Sequence, residues 1–253
     1  MSETDNNKNP RDTAMSLGDH LEELRSCLIR AIAGLVTALV VCLIFGKWIV
    51  KFIEMPYIDV MGEQASLQTL SPAEGFTTYM GAALIAAVVI SSPWIFYQLW
   101  LFVAAGLYAE EKRYIRLAAP FSAALFVAGA LFFIFLIGPV TLRFLVIFNR
   151  EILGVESNFT FKNYVTFAAV MMLVFGLAFQ SPIAIFFLNK TGLVSIEALR
   201  KSRRYVIFGI VVVAAAIIPG SDPFSLFALS IPMYLLFELG ILLSRLSNRR
   251  KEQ

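Results

Sequence analysis

Charge is what this sequence has least of. Asp, Glu, Lys and Arg make up 15% of its 253 residues, while 58% are hydrophobic. An ordinary soluble domain carries about 25% charged residues, so composition excludes one and points to an integral membrane protein. Histidine is nearly missing: His20 stands alone. A Ser-His-Asp relay needs an imidazole backed by a carboxylate, and a zinc helix needs a second His four residues on, which "HLEEL" lacks. No Gly-rich phosphate loop is present either. The chain therefore reads as no enzyme, with no catalytic residue, no metal site and no cofactor. Cysteine is limited to Cys27 and Cys42, about four helical turns apart and too far to bridge, so both read as inert packing residues. An apolar signal-peptide core is lacking in Met1–Met15, and the first apolar stretch has no cleavage pattern after it, so that stretch reads as a retained span. There is no visible internal repeat, which weakens a transporter built on inverted repeats.

What the sequence has in quantity is long charge-poor runs. They fall at Cys27–Ile49, Thr78–Leu101, Leu117–Leu142, Tyr164–Asn189, Tyr205–Ile218 and Phe224–Ser244. The first four and the last are long enough to cross a hydrocarbon core of about 30 Å. The fifth offers about 14 residues, or about 21 Å of helix, which is short for a span. These runs predict an all-α membrane protein of six transmembrane helices: a disordered N-terminus over 1–15, one membrane domain over 16–245 and a tail over 246–253. Of the 21 Lys and Arg, all but Lys47, Lys51, Arg143, Arg150 and Lys162 lie on the side of the termini. The positive-inside rule then makes both termini cytoplasmic. On the other side, residues 50–77 read as a sizeable loop with turn signals, and Ser71 with Glu74 reads as a capping box for a short helix entering the second run. Pro93, Pro120, Pro139, Pro182 and Pro232 fall in or near spans, where membrane helices tolerate them as kinks. Kinked helices of unequal length imply a cupped shape.

Three acids occupy an odd place. In "LGDHLEELRSCLIRAIAGLV" (17–36), Asp19, Glu22 and Glu23 sit where a membrane helix meets cytoplasm and ordinarily carries Lys or Arg. Ser16 and Asp19 resemble a capping box. Glu22 has Arg25 three residues on, close enough for a partial neutralisation of a few tenths of a kcal/mol. Glu23 has no Lys or Arg three or four positions either way, only His20 three residues before it. In "FVAAGLYAEEKRYIR", Glu110 has Arg113 three residues on, whereas Glu111 meets only Tyr114 and Ile115. A solvated polar face accounts for Glu23, and acids in a first helical turn account for Glu111, as simply as a binding role does. Glu238 lies inside the sixth run, within reach of the interface or of Arg245, and an intramembrane carboxylate marks a functional site by default. Gln180 sits mid-way along the fourth run and needs a hydrogen-bond partner. The basic loops are topology charges, with no support for nucleic-acid binding.

An ordered set of motifs then resembles a known family. "HLEELR" precedes the first run, "SPxxxF" the second, and "FxxxGLYxxE" follows it. "GxxFxxFxxxP" lies in the third run, "FGxxFQxP" in the fourth, "LRKSRRYV" before the fifth, and "PGSDPFS" with "IPMYLLFELG" in the last hairpin. Spread over about residues 16–245, they resemble TatC, the core receptor subunit of the twin-arginine protein translocase. The resemblance implies a cupped, glove-like six-helix fold with short helices 5 and 6. It implies recognition of signal peptides with paired arginines and export of folded proteins across the cytoplasmic (inner) membrane. The implied partners are TatA- and TatB-type single-span proteins in a hetero-complex holding several copies of the chain, with the proton-motive force as drive. By motif position the arginine pair would meet Glu23 and Glu111, with Arg25, Phe102, Lys112 and Arg113 lining or supporting the site. Two guanidinium forks prefer bidentate carboxylates, which Lys cannot reproduce. Pro56 and Asp222 match outer-loop positions, and Gln180 and Glu238 positions that contact partners. The family usually has Pro where this chain has Ala105, and Glu where it has Gln180, so no proton role is expected of Gln180. The alternative kept open is a small-solute secondary transporter.

Overall fold

The computed structural model describes residues 17–62, 67–105, 112–217 and 223–249, and among them it is all helical apart from one isolated bridge between Gln68 and Thr160. Helix α1 spans Leu17–Ile44, α2 Gly46–Met61, α3 Glu74–Ala105 and α4 Lys112–Phe132. A π-helical segment, Phe133–Ile137, leads into α5 (Gly138–Ile147), and a second, Phe148–Ile152, follows it. Then come α6 (Phe161–Ala178), α7 (Ser181–Lys190), α8 (Ile196–Lys201), α9 (Arg203–Ile217) and α10 (Pro223–Arg249). Five stretches are long and apolar enough to cross a membrane: Leu21–Ile44, Glu74–Ala104, Ala118–Ile152, Phe161–Lys190 and Leu226–Ser247. Helix α9, at 15 residues, reaches only about 22 Å, as its apolar run predicted.

Hydrogen bonds establish the directions of the helices. Trp94 Nε1 donates to the Arg30 carbonyl at 2.9 Å and the Tyr79 hydroxyl to the Leu43 carbonyl, so α1 and α3 run antiparallel. Gln180 and Ser122 join the end of α6 to the first half of α4, again antiparallel. The start of α6 meets the start of α3 through Glu74 and Lys162. The end where α1 begins is called proximal below; the end where α1 stops and α3 and α6 start is called distal.

Helix α6 is the centre. Half of its 18 residues are buried, among them Val165, Met171 and Phe175, and it packs against α3, α4 and α2. In lipid, apolar side chains gain little by leaving a hydrocarbon surround, so close backbone approach drives association. Gly129 of α4 supplies that approach: a Cβ there would stand 2.5 Å from the Phe175 carbonyl oxygen. Gly176 likewise lies against the Phe126 ring.

Three expectations need correction. The first run does not continue to Ile49. It stops at Ile44, and α2 restarts at Gly46, whose Cα lies so close to the Tyr79 ring that a Cβ would come within 2.3 Å of it. Residues 46–61 are helix rather than loop, and Pro56 is buried inside that helix. Ile49, Ile53, Tyr57 and Val60 recur at helical spacing and pack on the core, with the Tyr164 hydroxyl donating to the Ile53 carbonyl at 3.0 Å. The third run extends to Ile152 through the two π-helical segments. The first of these precedes Pro139, whose ring would clash with a carbonyl four residues back in a regular helix; the wider turn relieves this, and Gly138 N–H bonds Phe133 five residues back. Pro182 divides α6 from α7, while Pro93, Pro120 and Pro232 lie within unbroken helices.

The Ser71–Glu74 cap forms, and it does more than cap. Glu74 is buried; its Oε2 accepts from Leu70 N–H (2.7 Å) and Ser71 N–H (3.2 Å), and its Oε1 accepts from Lys162 N–H (3.3 Å). One carboxylate thus ties the entry of α3 to the entry of α6.

Candidate functional site

Helix spacing gathers the proximal site. Glu23, Ser26, Cys27 and Arg30 stand at i, i+3, i+4 and i+7, on one side of α1. With Glu22 and Leu101 of α3 they line an open cleft of about 440 Å³. Cys27 is a buried free thiol, and so is Cys42, as expected of packing residues. Glu23 is half-buried, and its Oε2 is shielded from solvent with no hydrogen-bond partner among the described residues. A shielded acceptor left unpaired is unfavourable by about 1–3 kcal/mol. Glu22 faces solvent, as does Arg25. The two do not pair as their spacing predicts: among the described residues the ion pair present is Arg203–Glu238. Two exposed long side chains lose rotamer freedom in pairing and gain little in return.

Other candidate positions divide into those placed by the structure and those outside it. Phe102 is half-buried near the end of α3, one residue past Leu101, and engaged in an interaction. Lys112 and Arg113 open α4. Glu110, Glu111, Asp222 and the Ser16–Asp19 cap fall outside the described residues or side chains. Pro56 lies far from the cleft, at the distal end.

Gln180 donates from Nε2 to the Ser122 carbonyl at 2.8 Å, and Ser122 Oγ accepts from Trp100 Nε1 at 2.9 Å. The acceptor is a backbone oxygen, so the amide nitrogen must face it. A carboxylate there would have to be protonated to make the same bond, which explains how Gln fits this site. Glu238 is half-exposed and pairs at 2.8 Å with Arg203, not Arg245, while the Tyr234 hydroxyl donates to its Oε1 at 2.8 Å. The pair clips short α9 to α10.

A search for charged partners at three and four passed over Ser26, which is neutral, and Arg30, which lies two turns from Glu23; an i+7 search finds Arg30. The Ser122, Trp100 and Arg203 contacts join residues distant in sequence, and no local pattern marks them.

Fold and site together define a multi-pass α-helical membrane protein. Among the described residues no group of three or more His, Cys, Asp or Glu could hold a metal ion. The family described as "Sec-independent protein translocase protein (TatC)" matches residues 19–232. The Sec-independent protein translocase protein TatC of Frankia casuarinae is 35% identical over 250 residues, 94% of this chain and 68% of that protein. Those of Haemophilus influenzae and Helicobacter pylori are 35% and 34% identical over 92% of this chain, and over 90% and 88% of their own lengths. A crystal structure of the twin-arginine translocase receptor TatC matches with a TM-score of 0.81 at 32% identity, over 90% of this chain and 99% of that one. The chain belongs to the TatC family. It is a protein translocase component, not an enzyme.

Proposed function

We propose that this chain is the receptor of a twin-arginine translocation system, binding signal peptides with paired arginines in the proximal cleft. The observation that carries the reading is the shielded Glu23 Oε2, without a partner among the described residues, in a cleft open to solvent. A guanidinium fork supplies the missing donors in a charge-assisted, bidentate bond. Glu111 takes the second arginine, with Arg25, Phe102, Lys112 and Arg113 lining or supporting the site. Arg30 in the same cleft limits its net negative charge, and the preference for arginine rests on the bidentate carboxylate geometry. In this reading the proximal end and both termini are cytoplasmic, the membrane is the cytoplasmic one, and TatA- and TatB-type proteins assemble on the chain with Pro56, Gln180, Asp222 and Glu238 at partner-facing positions. The proton-motive force drives export. Helix α9, about 22 Å long, thins the bilayer beside α9 and α10, since mismatch is relieved at fractions of a kcal/mol per Å.

The test is photocrosslinking and affinity of an Arg-Arg signal peptide with the full-length protein in membranes. Glu23→Ala and Glu111→Ala should each weaken binding by about tenfold or more, and a Lys-Lys peptide should bind the wild type as poorly. Unchanged binding in both variants overturns the site. Spin-label depth profiles showing normal thickness beside α9 overturn the thinning.

A further inference from the structure

A second cleft, of about 520 Å³, opens at the distal end between α2 and the starts of α3 and α6. Its depth in the membrane follows from its walls. The span of α1 ends at Ile44, that of α3 begins at Glu74 and that of α6 at Phe161, and the cleft is lined by Gly75, Tyr79 and Phe161 from those same ends. It therefore lies at the level of phospholipid headgroups, not in the hydrocarbon.

The lining is divided by chemistry. Leu67, Phe161 and the ring of Tyr79 give an apolar wall, while α2 contributes Lys47, Lys51 and Glu54, one turn apart along one face. Among the described lining residues, two ammonium groups against one carboxylate leave the mouth cationic. Both lysines are exposed, and neither has an ion-pair partner among the described residues. The opposite face of α2, with Ile53, Pro56 and Tyr57, is buried against the core, which fixes the direction of the lysines. Trp48 beside them is 70% exposed, and the Lys51 ammonium stands 5.9 Å from the centre of its ring. Tryptophan next to lysine is the pairing that sits at a membrane–water interface.

We propose that this distal cleft is a binding site for an anionic phospholipid, with the phosphate on Lys47 and Lys51 and the first acyl carbons against Leu67 and Phe161. Basic pockets between membrane helices bind acidic headgroups by this combination of charge and apolar wall. A soluble anion would use the lysines but gain nothing from the wall, and a zwitterionic lipid would use the wall but meet a net cationic mouth. The inference is independent of the signal-peptide reading, because the two clefts lie at opposite ends of α1.

Native mass spectrometry of the full-length protein, released from detergent after equilibration with phosphatidylglycerol or phosphatidylcholine, tests it. The wild type should retain phosphatidylglycerol in preference to phosphatidylcholine. Lys47→Gln/Lys51→Gln should weaken phosphatidylglycerol retention by about 25-fold, about fivefold per lysine, and leave phosphatidylcholine unchanged. Glu54→Gln removes the opposing carboxylate and should tighten retention, so a fault in the lysine variant cannot produce both results. Equal phosphatidylglycerol retention in the wild type and the double variant overturns the proposal. So does displacement of the lipid by glycerol 1-phosphate at equal concentration, which would reveal a simple anion site.

Discussion

Helices α1 and α6 are both apolar spans, yet α6 is packed on several sides and α1 chiefly on one. Half of α6 is buried, and α4 approaches it to contact through Gly129. Helix α1 buries only Cys27 and Cys42 among its described side chains, and leaves Leu28, Ile32, Val36, Val40 and Ile44 exposed. Its other face packs on α3, with Leu35, Ala38, Leu39 and Cys42 against Ala83 and Ala87 and Gly34 under Trp94, and two side-chain hydrogen bonds from α3 reach it near Arg30 and Leu43. In water that exposed stripe would be a liability; facing lipid it is neutral. The contrast teaches that apolarity alone does not rank these helices. Packing on several sides holds α6, and a single packed face with two directed bonds holds α1 where it flanks the proximal cleft.

The strongest way to break the contrast is to attack the interlock. Gly129→Val would drive methyl groups into the Phe175 carbonyl and should destabilise the protein by about 3 kcal/mol, read as a lowered melting temperature in detergent. Leu28→Ala, at a site 55% exposed, should change stability by less than about 0.5 kcal/mol. Similar losses from the two would erase the distinction between α1 and α6.

Next in size is Glu74→Ala, which removes the acceptor from three backbone N–H groups. A loss of about 2 kcal/mol is expected, with faster hydrogen exchange over residues 67–74, while Glu74→Gln keeps part of the effect. Smaller still is the Arg203–Glu238 pair. Its side chains are 44% and 30% exposed, so a double-mutant cycle should give about 0.5 kcal/mol, shrinking as salt rises.

The smallest expected effect is a pH slope from Glu54 on α2. Burial raises its carboxyl above the ordinary range, partly offset by Lys51. A folded pKa above the unfolded one means that the protonated form suits the folded chain better. The contribution of Glu54 is therefore complete below about pH 4 and is lost as pH rises through the folded value. Glu54→Gln should match the wild type in acid and exceed it slightly near neutrality, measured by melting in lipid-free detergent. A difference that ran the other way would show that Lys51 outweighs burial.

Which parts were legible in the sequence follows the same division. Long spans announce themselves because charge is expensive in hydrocarbon, so α3, α6–α7 and α10 lie where charge-poor runs place them, and α9 is short as its run is. The break at Phe45 was hidden because apolar residues continue through Ile49; it arises from Tyr79 packing under Gly46, a contact between two helices. Residues 50–61 resembled a loop through Pro56 and their polar residues, although Ile49, Ile53, Tyr57 and Val60 keep helical time. At the proximal site, wheel geometry singled out Glu23 as the acid without a local cation. It could not show the shielding of Oε2, which belongs to the folded chain. Glu22 and Arg25 were a pair by spacing alone, and spacing does not oblige exposed side chains to meet.

The joint between Gln180 and Ser122 has an electrical consequence. A unit charge moved through a potential of 100 mV exchanges about 2.3 kcal/mol with the field, more than a single hydrogen bond in a membrane is worth. A carboxylate at position 180 would therefore be pulled or released as the membrane charged and discharged, and its protonation would follow local acidity. An amide has no charge to be pulled and no proton to surrender. In this chain the hydrogen bond between α4 and the end of α6 carries no net charge for the membrane field to act on.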